Sequence, residues 1–267
     1  MRVFVIARDE VLRLLSTRRG IFSLLGFLLL WVAVINYAIL PAASYFAGAN
    51  ESGLSEALLP RFGLTAWQQW PAPELAVYWV ISLYLLPFFA VVAAADQTAS
   101  DRSRGTLRFL VLRCSRLEIF FGRFLGQCII MALVVLCTLA SVLIAIALRS
   151  PELLPESVGK TPVIVVNLLF LVMPYIALMA WVSIMAKSAR QATLLAVIVW
   201  IGVSLVIAFI KSRVGDLPIL EWVLPGSQVG QLLRLADWQM LTYASAPLIH
   251  TIVLLAVGGL VMRSRDL

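Results

Sequence analysis

Few residues of this chain have side chains able to catalyse a reaction. Its 267 residues include a single histidine, His250. A serine nucleophile needs a base within reach, and the best pairing that the sequence offers is Ser204 with His250. Membrane serine proteases of this kind carry Gly-x-Ser-Gly on one helix and the histidine on another, but here Leu205 replaces the second glycine after Gly202 and Ser204. Proteolysis is therefore our third hypothesis.

Two further patterns resemble ligand sites and fail on their spacing. The run 158–161, Val-Gly-Lys-Thr, resembles the end of a phosphate-binding loop. Such a loop needs a glycine five residues before Gly159, where this chain has Leu154. The cysteines form no CxxC pair and are read as small apolar side chains: Cys114, Cys128 and Cys137. We expect this chain to bind no metal and no cofactor.

The composition is that of an integral membrane protein. It is 62% hydrophobic and 13% charged, whereas soluble domains are about 45–50% apolar and about 25% charged. Six runs without Asp, Glu, Lys or Arg are long enough to cross a bilayer as helices. We therefore predict a single all-α membrane domain with six transmembrane helices at about 21–40, 75–95, 124–148, 161–186, 192–210 and 244–262.

Basic residues set the predicted orientation. With the N-terminus in the cytoplasm, 15 of the 21 lysines and arginines lie on the inside and six on the outside. Cytoplasmic connections are enriched in Lys and Arg, so both termini are predicted inside. The net charge of +7 is thereby explained by topology, and we expect no nucleic-acid partner.

Flanking segments are expected to fix the spans at the membrane surface. Residues 1–19 repeat apolar side chains at helical spacing among arginines, which predicts a helix lying in the membrane interface. The external segment 41–74 is rich in tryptophan, and the external loop 211–243 is apolar enough to lie in or dip into the membrane. The predicted interface anchors are Arg8, Arg18, Arg19, Trp67 and Trp70.

The segment 96–123 is the most strongly basic interruption between spans. It carries six arginines against three acids. The six spans contain no acidic residue, and ion-driven transporters commonly place acids within their helices. If the protein moves a substrate, its energy is therefore expected to come from elsewhere, which directs attention to this cytoplasmic loop.

The loop carries a recognisable sequence. Asp101-Arg-Ser-Arg-Gly-Thr-Leu107 matches an acid–Arg–x–x–Gly–Thr–Leu signature, and the chain resembles the permease subunits of ABC-2-type transporters. Within them it is similar to the group of the nitrous-oxide-reductase maturation permease. Departures are Arg104, where an acid is common, and the absence of the proline from the family's Pro-x-Ser-Arg-like element, for which this chain has Cys114-Ser115-Arg116. The layout of the whole chain agrees with the family.

The resemblance implies a partner and a docking element. Residues 101–112 would form a short cytoplasmic coupling helix that contacts a dimer of separate ABC ATPase subunits, which bind the ATP and magnesium. The implied interface residues are Asp101, Arg102, Gly105, Thr106, Leu107, Leu110 and Arg116. A second permease copy, forming a homodimer rather than a heterodimer, and membrane lipid are the other expected partners, with a periplasmic accessory protein as a further candidate.

The resemblance implies an exporter subunit of the bacterial inner membrane that is not itself an enzyme. The alternative is a membrane scaffold that moves nothing and holds external partners through residues 41–74 and 211–243. Lipid-linked glycans, drugs, peptides and maturation factors all remain open as substrates.

Overall fold

The computed structural model describes residues 2–51, 69–99, 101, 105, 107–215, 220 and 222–264. All regular secondary structure within these residues is helical. The α-helices, numbered in chain order, are α1 (Arg2–Ser16), α2 (Arg18–Val34), α3 (Leu40–Glu51), α4 (Pro73–Ala93), α5 (Leu107–Val111), α6 (Arg116–Arg149), α7 (Leu154–Met185), α8 (Ala189–Val214), α9 (Val229–Leu232) and α10 (Ser245–Ser264).

Six stretches are long and apolar enough to cross a membrane, which confirms the predicted number. They are Gly20–Tyr45, Pro73–Asp96, Arg116–Arg149, Pro151–Met185, Ala189–Arg213 and Trp238–Ser264. The third and fourth have 34 and 35 residues, or roughly 50 Å of helix, against about 30 Å of hydrocarbon. Of residues 149–160, expected as a connection, Arg149 ends α6, Pro151–Leu153 form a 3₁₀ turn and the rest from Leu154 onward begin α7.

The fourth span, α7, is the centre of the bundle. Within its most apolar 18 residues, 72% are buried, compared with 11% in the corresponding segment of the first span and 6% in that of α8. The core lies where α7 meets α4 and α6, and its largest fully buried side chains include Trp79, Tyr78 and Leu168. The Tyr78 hydroxyl lies 3.1 Å from the Thr138 hydroxyl on α6. The first and fifth spans are therefore peripheral.

The first span contains a wide turn between α2 and α3. Residues Ile35–Ile39 form a π-helix, in which the Leu40 N–H bonds to the Ile35 carbonyl. Pro41 lacks the N–H that an α-helix would direct at the Tyr37 carbonyl, and its ring needs room at that carbonyl. The π turn provides this room and keeps the span continuous.

The described part of the segment before α10 packs against the spans. The Trp79 indole N–H donates to the Leu232 carbonyl at 3.3 Å, and the Tyr175 hydroxyl donates to the Pro225 carbonyl at 3.0 Å. Gly226 follows with a φ of 92°, and a Cβ there would lie 2.4 Å from the Tyr175 hydroxyl. Non-helical backbone in this predicted loop is thus covered by protein, as a position close to the bilayer requires.

Candidate functional site

The N-terminal helix α1 lies against the first half of α6. Two glycines on α6 make this close approach feasible, since a Cβ on Gly122 would lie 2.7 Å from the Ile6 Cβ and one on Gly126 would lie 2.8 Å from the Glu10 Cβ. Ala7, between these contacts, is 1% exposed. Gly122 and Gly126, at small-xxx-small spacing, therefore form the surface on which α1 packs. Such spacings allow two helices to approach closely.

Replacing Gly126 with leucine is expected to displace α1. The new side chain would overlap Glu10 and the Ala7 carbonyl, which lies 3.1 Å from the added Cβ, and overpacking of this kind costs about 1–3 kcal/mol. Hydrogen–deuterium exchange of the α1 amides should become faster. Gly202→Leu on α8 is the control, since nothing lies within 4 Å of its added Cβ. Equal exchange in both variants would contradict the packing.

A buried arginine on α6 joins α1 to the basic loop. Arg123 is 3% exposed and donates to the Asp101 carboxylate and to the Gln97 carbonyl. Its Nε lies 3.6 Å from the Glu10 Oε1. Arg13 on α1 completes the group, 3.6 Å from the Asp101 Oδ2 and 3.8 Å from the Glu10 Oε2. We call these four charged residues the arginine cluster.

The cluster connects three parts of the chain that are far apart in sequence. Glu10 and Arg13 belong to α1, Asp101 to the loop after the second span, and Arg123 to the third span. Charges this deep are costly unless paired, and removing one partner of a buried pair typically costs about 3–5 kcal/mol. A shift of the loop therefore has to move α1 or break these pairs.

Burial raises the pKa of Glu10, while the charges of Arg123 and Arg13 oppose that rise and those of Asp101 and Asp96 add to it. A carboxyl whose folded-state pKa is raised contributes most to stability below its unfolded-state pKa, and this contribution is lost as the pH rises through the folded-state value.

We therefore expect the α1 amides to exchange faster as the pH rises from below the unfolded-state pKa of Glu10 to above its folded-state pKa. The rates are compared after correction for intrinsic exchange. Glu10→Gln removes the titration and should flatten the dependence. An identical pH profile in wild type and variant would show that Glu10 does not control the docking of α1.

The predicted coupling helix is shorter than expected. The predicted helix 101–112 is interrupted by a turn at Gly105, which lies in the left-handed region at a φ of 68°. After this turn the helix Leu107–Val111 follows. Asp101 lies before this turn, is itself helical and pairs with Arg123. The apolar side chains of Phe109, Leu110 and Leu112 are exposed.

The remaining predicted interface residues separate into two groups. Arg116 begins α6 and its Nη1 donates to the Arg263 carbonyl at 3.4 Å, so the end of α10 lies beside the basic loop. Arg102 and Thr106 lie outside the described residues, as does the side chain of Leu107.

The predicted membrane anchors also differ from one another. Arg8 and Arg18 are exposed. Trp70 is 9% exposed, with its ring centroid 5.8 Å from that of Trp79, so it packs within the protein. Trp67 and the side chain of Arg19 lie outside the described residues.

An ion pair also lies at the opposite end of α6. The Arg149 Nη1 is 3.3 Å from the Glu74 Oε1, and the Arg149 Nη2 donates to the Ser44 hydroxyl at 2.9 Å. Glu74 begins α4 and Ser44 is close to the end of the first span. The third span is thus joined by arginines to its neighbours at both ends.

Each side chain considered for catalysis or for phosphate binding contacts a backbone carbonyl instead. The Ser204 hydroxyl donates to the Trp200 carbonyl at 2.8 Å, and the His250 Nε2 lies 2.7 Å from the Trp222 carbonyl. Lys160, in the run that resembles a phosphate loop, is 3.3 Å from the Ala236 carbonyl within the helical α7. Among the described residues no group of three or more His, Cys, Asp or Glu could hold a metal ion.

We expect Ser204→Ala to leave the function of the protein unchanged. The substitution removes one hydrogen bond to a helix carbonyl and no contact with His250. Complementation of a strain lacking the protein measures this directly. Loss of complementation by Ser204→Ala at normal protein levels would restore the protease hypothesis.

Comparison with known proteins agrees with this arrangement of spans and loop. No curated protein matches the chain. The family model described as ABC-2 family transporter protein matches residues 4–261, which is nearly the whole chain and includes most of α1, the basic loop, the first five spans and most of the sixth. The protein is thus a multi-pass membrane protein that belongs to the ABC-2 transporter family.

Proposed function

We propose that this chain is the permease of an exporter driven by ATP hydrolysis in a separate subunit. Members of the ABC-2 family are membrane components and not enzymes themselves, and the family implies association with an ABC ATPase. The observation that carries the proposal is the link that Arg123 forms between the basic loop and the third span. A permease needs such a link to convert movement of a docked ATPase into movement of its helices.

The surface offered to the ATPase is the short segment after Gly105. Phe109, Leu110 and Leu112 expose apolar side chains beside the exposed Arg113. Apolar side chains on a short helix can fill a groove of a partner protein, and the arginine adds charge complementarity to acidic groups. ATP and magnesium would be bound by the partner subunits.

Two permease copies would be required above an ATPase dimer. The first and fifth spans have the least burial within one chain, so their apolar faces are available to a second copy or to lipid. We favour a homodimer in a bacterial inner membrane, with both termini in the cytoplasm. A periplasmic accessory protein would contact the opposite end, where Arg149 and Glu74 lie.

Co-purification tests this function. The tagged protein, extracted in mild detergent from its native host, is expected to bring down an ATP-binding subunit in equal amounts. The scaffold alternative predicts capture of extracytoplasmic proteins without an ATPase. A permease that is stable, active and free of any ATPase would overturn the proposal.

A further inference from the structure

A cavity of about 660 Å³ lies beside the arginine cluster. Its walls are α1, the beginning of the first span, the end of the second span and the first half of α6. Pockets of about 300–1,000 Å³ are typical for small organic ligands. One wall is formed by the first span, which is little buried in the protein, so the cavity lies at the border between bundle and membrane.

A gradient from charged to apolar side chains runs along three of the four helices that line the cavity. On α6 the face that carries the buried Arg123 continues with Gln127, Ile130 and Val134. These residues follow one another at spacings of four, three and four, so they form a single stripe over roughly 16 Å. The stripe passes from a charge through an amide to apolar side chains.

The first and second spans repeat this order. On the first span the lining changes from Arg18 to Ser23 and Leu24, and on the second it changes from Asp96 to Ala93 and Phe89. All three helices are therefore charged at the level of α1 and apolar toward the middle of the membrane. A ligand that satisfies every wall must itself be charged at one end and apolar at the other.

Gln127 supplies an independent sign of a ligand. Its side chain is 8% exposed, lines the cavity and has no hydrogen-bond partner among the described residues. Its amide is accessible from the cavity, where a ligand can supply the donor and acceptor that the protein does not. Its donor and acceptor lie between the charged and the apolar zones of the cavity, matching the order of headgroup, ester groups and chains in a glycerophospholipid.

The charges at the mouth favour a zwitterionic headgroup. Glu10, Asp96 and Asp101 face Arg13 and Arg18 around the cavity, and Arg123 pairs with Glu10 and Asp101. The charges of these six residues balance, so a headgroup that carries both charges fits them better than a purely anionic one. Arg18 makes no ion pair within the described part of the chain and is exposed, which leaves its guanidinium available to a phosphate. A primary ammonium suits the neighbouring carboxylates, since it donates three hydrogen bonds.

We propose that this cavity binds an amine-bearing zwitterionic phospholipid, of the phosphatidylethanolamine class. Its phosphate lies at Arg18, its ammonium at the carboxylates, its ester carbonyls at Gln127 and the first part of its chains against Leu24, Phe89 and Ile130. The proposal does not depend on the transported substrate, and it holds equally for a permease and for a scaffold.

Native mass spectrometry of the delipidated full-length protein tests the site. Titration with phosphatidylethanolamine should give one tightly bound lipid per chain, with weaker binding of phosphatidylglycerol and of phosphatidylcholine, whose quaternary ammonium has no N–H. Glycerophosphoethanolamine, which lacks chains, should bind about a hundredfold more weakly, equivalent to three or four buried methylene groups. Phosphatidylglycerol binding as tightly as phosphatidylethanolamine would overturn the headgroup assignment.

Two variants locate the lipid in this cavity. Gln127→Leu and the exposed Arg18→Gln are each expected to weaken binding about tenfold, through the loss of one hydrogen bond to the ester or the phosphate. Gln231→Leu makes the same change at an exposed glutamine and should leave binding unaltered. Unchanged affinity in both cavity variants, with Arg18→Gln fully folded, would show that the lipid binds elsewhere and overturn the proposal.

Discussion

Replacing Arg123 with alanine is expected to detach α1 and the basic loop from the third span. The Glu10 and Asp101 carboxylates would lose their buried partner and keep the contact with Arg13, whose side chain is 41% exposed. Breaking a buried ion pair costs about 3–5 kcal/mol, and we expect about 3 kcal/mol here because Arg13 remains. This is the largest destabilisation that we predict for a single substitution in the cluster.

The result would be measured as thermal unfolding in detergent together with ATPase activity of the assembled complex. Both the melting temperature and the coupled activity should fall. Arg123→Lys is expected to recover part of the loss, since an ammonium lacks the planar fork that contacts Asp101, Glu10 and the Gln97 carbonyl together. Arg113→Ala, in the same loop and exposed, is the control. Similar effects of Arg113→Ala and Arg123→Ala would show that Arg123 acts only as a topology signal, like any other arginine of the loop.

Replacing Gly105 with valine is expected to uncouple the ATPase while the spans remain folded. The φ of 68° is in the left-handed region, where a residue with a Cβ loses roughly 1–2 kcal/mol and a β-branched one loses more. The turn that directs Leu107–Val111 would change, and the exposed apolar side chains would point elsewhere. A cost of about 1.4 kcal/mol corresponds to a tenfold loss of the docked state.

Gly105→Asn is the matched variant, because asparagine tolerates the left-handed region. It should retain most of the permease-stimulated ATPase activity, whereas Gly105→Val should lose about nine-tenths of it. Both variants should unfold at the same temperature as the wild type. Unchanged activity in Gly105→Val would favour the scaffold over the transporter.

Periodicity and charge were sufficient to predict the six spans. The apolar runs are free of charge, and their length alone requires helices in a bilayer. The ends of the spans were less predictable, since helices such as α6 and α7 can continue beyond the hydrocarbon with polar and proline-containing turns. A capping box at Ser115 and Glu118 fixes the start of α6, and this signal was present in the sequence.

The arginine cluster could not be assembled from the sequence, although one sign of it was present. Glu10 lies three residues from Ala7 on the face of α1 that contacts α6, and an acid on a packed face requires a partner. Its partner Arg123 is 113 residues away and resembles any other arginine of the basic loop. Gly122 and Gly126 were similarly visible as a packing pattern, but the identity of the opposing helix depends on the tertiary fold.

Site-specific photocrosslinking tests the docking of an ATPase most directly. A benzoylphenylalanine at position 110 or 112, where both side chains are exposed beside the basic loop, should capture an ATP-binding subunit in native membranes. The same probe at Phe88, which is 68% exposed on the second span, should capture lipid and no ATPase. Capture of the ATPase from positions 110 and 112 alone is the predicted result. Absence of any ATPase at these positions in a functional protein would contradict the account.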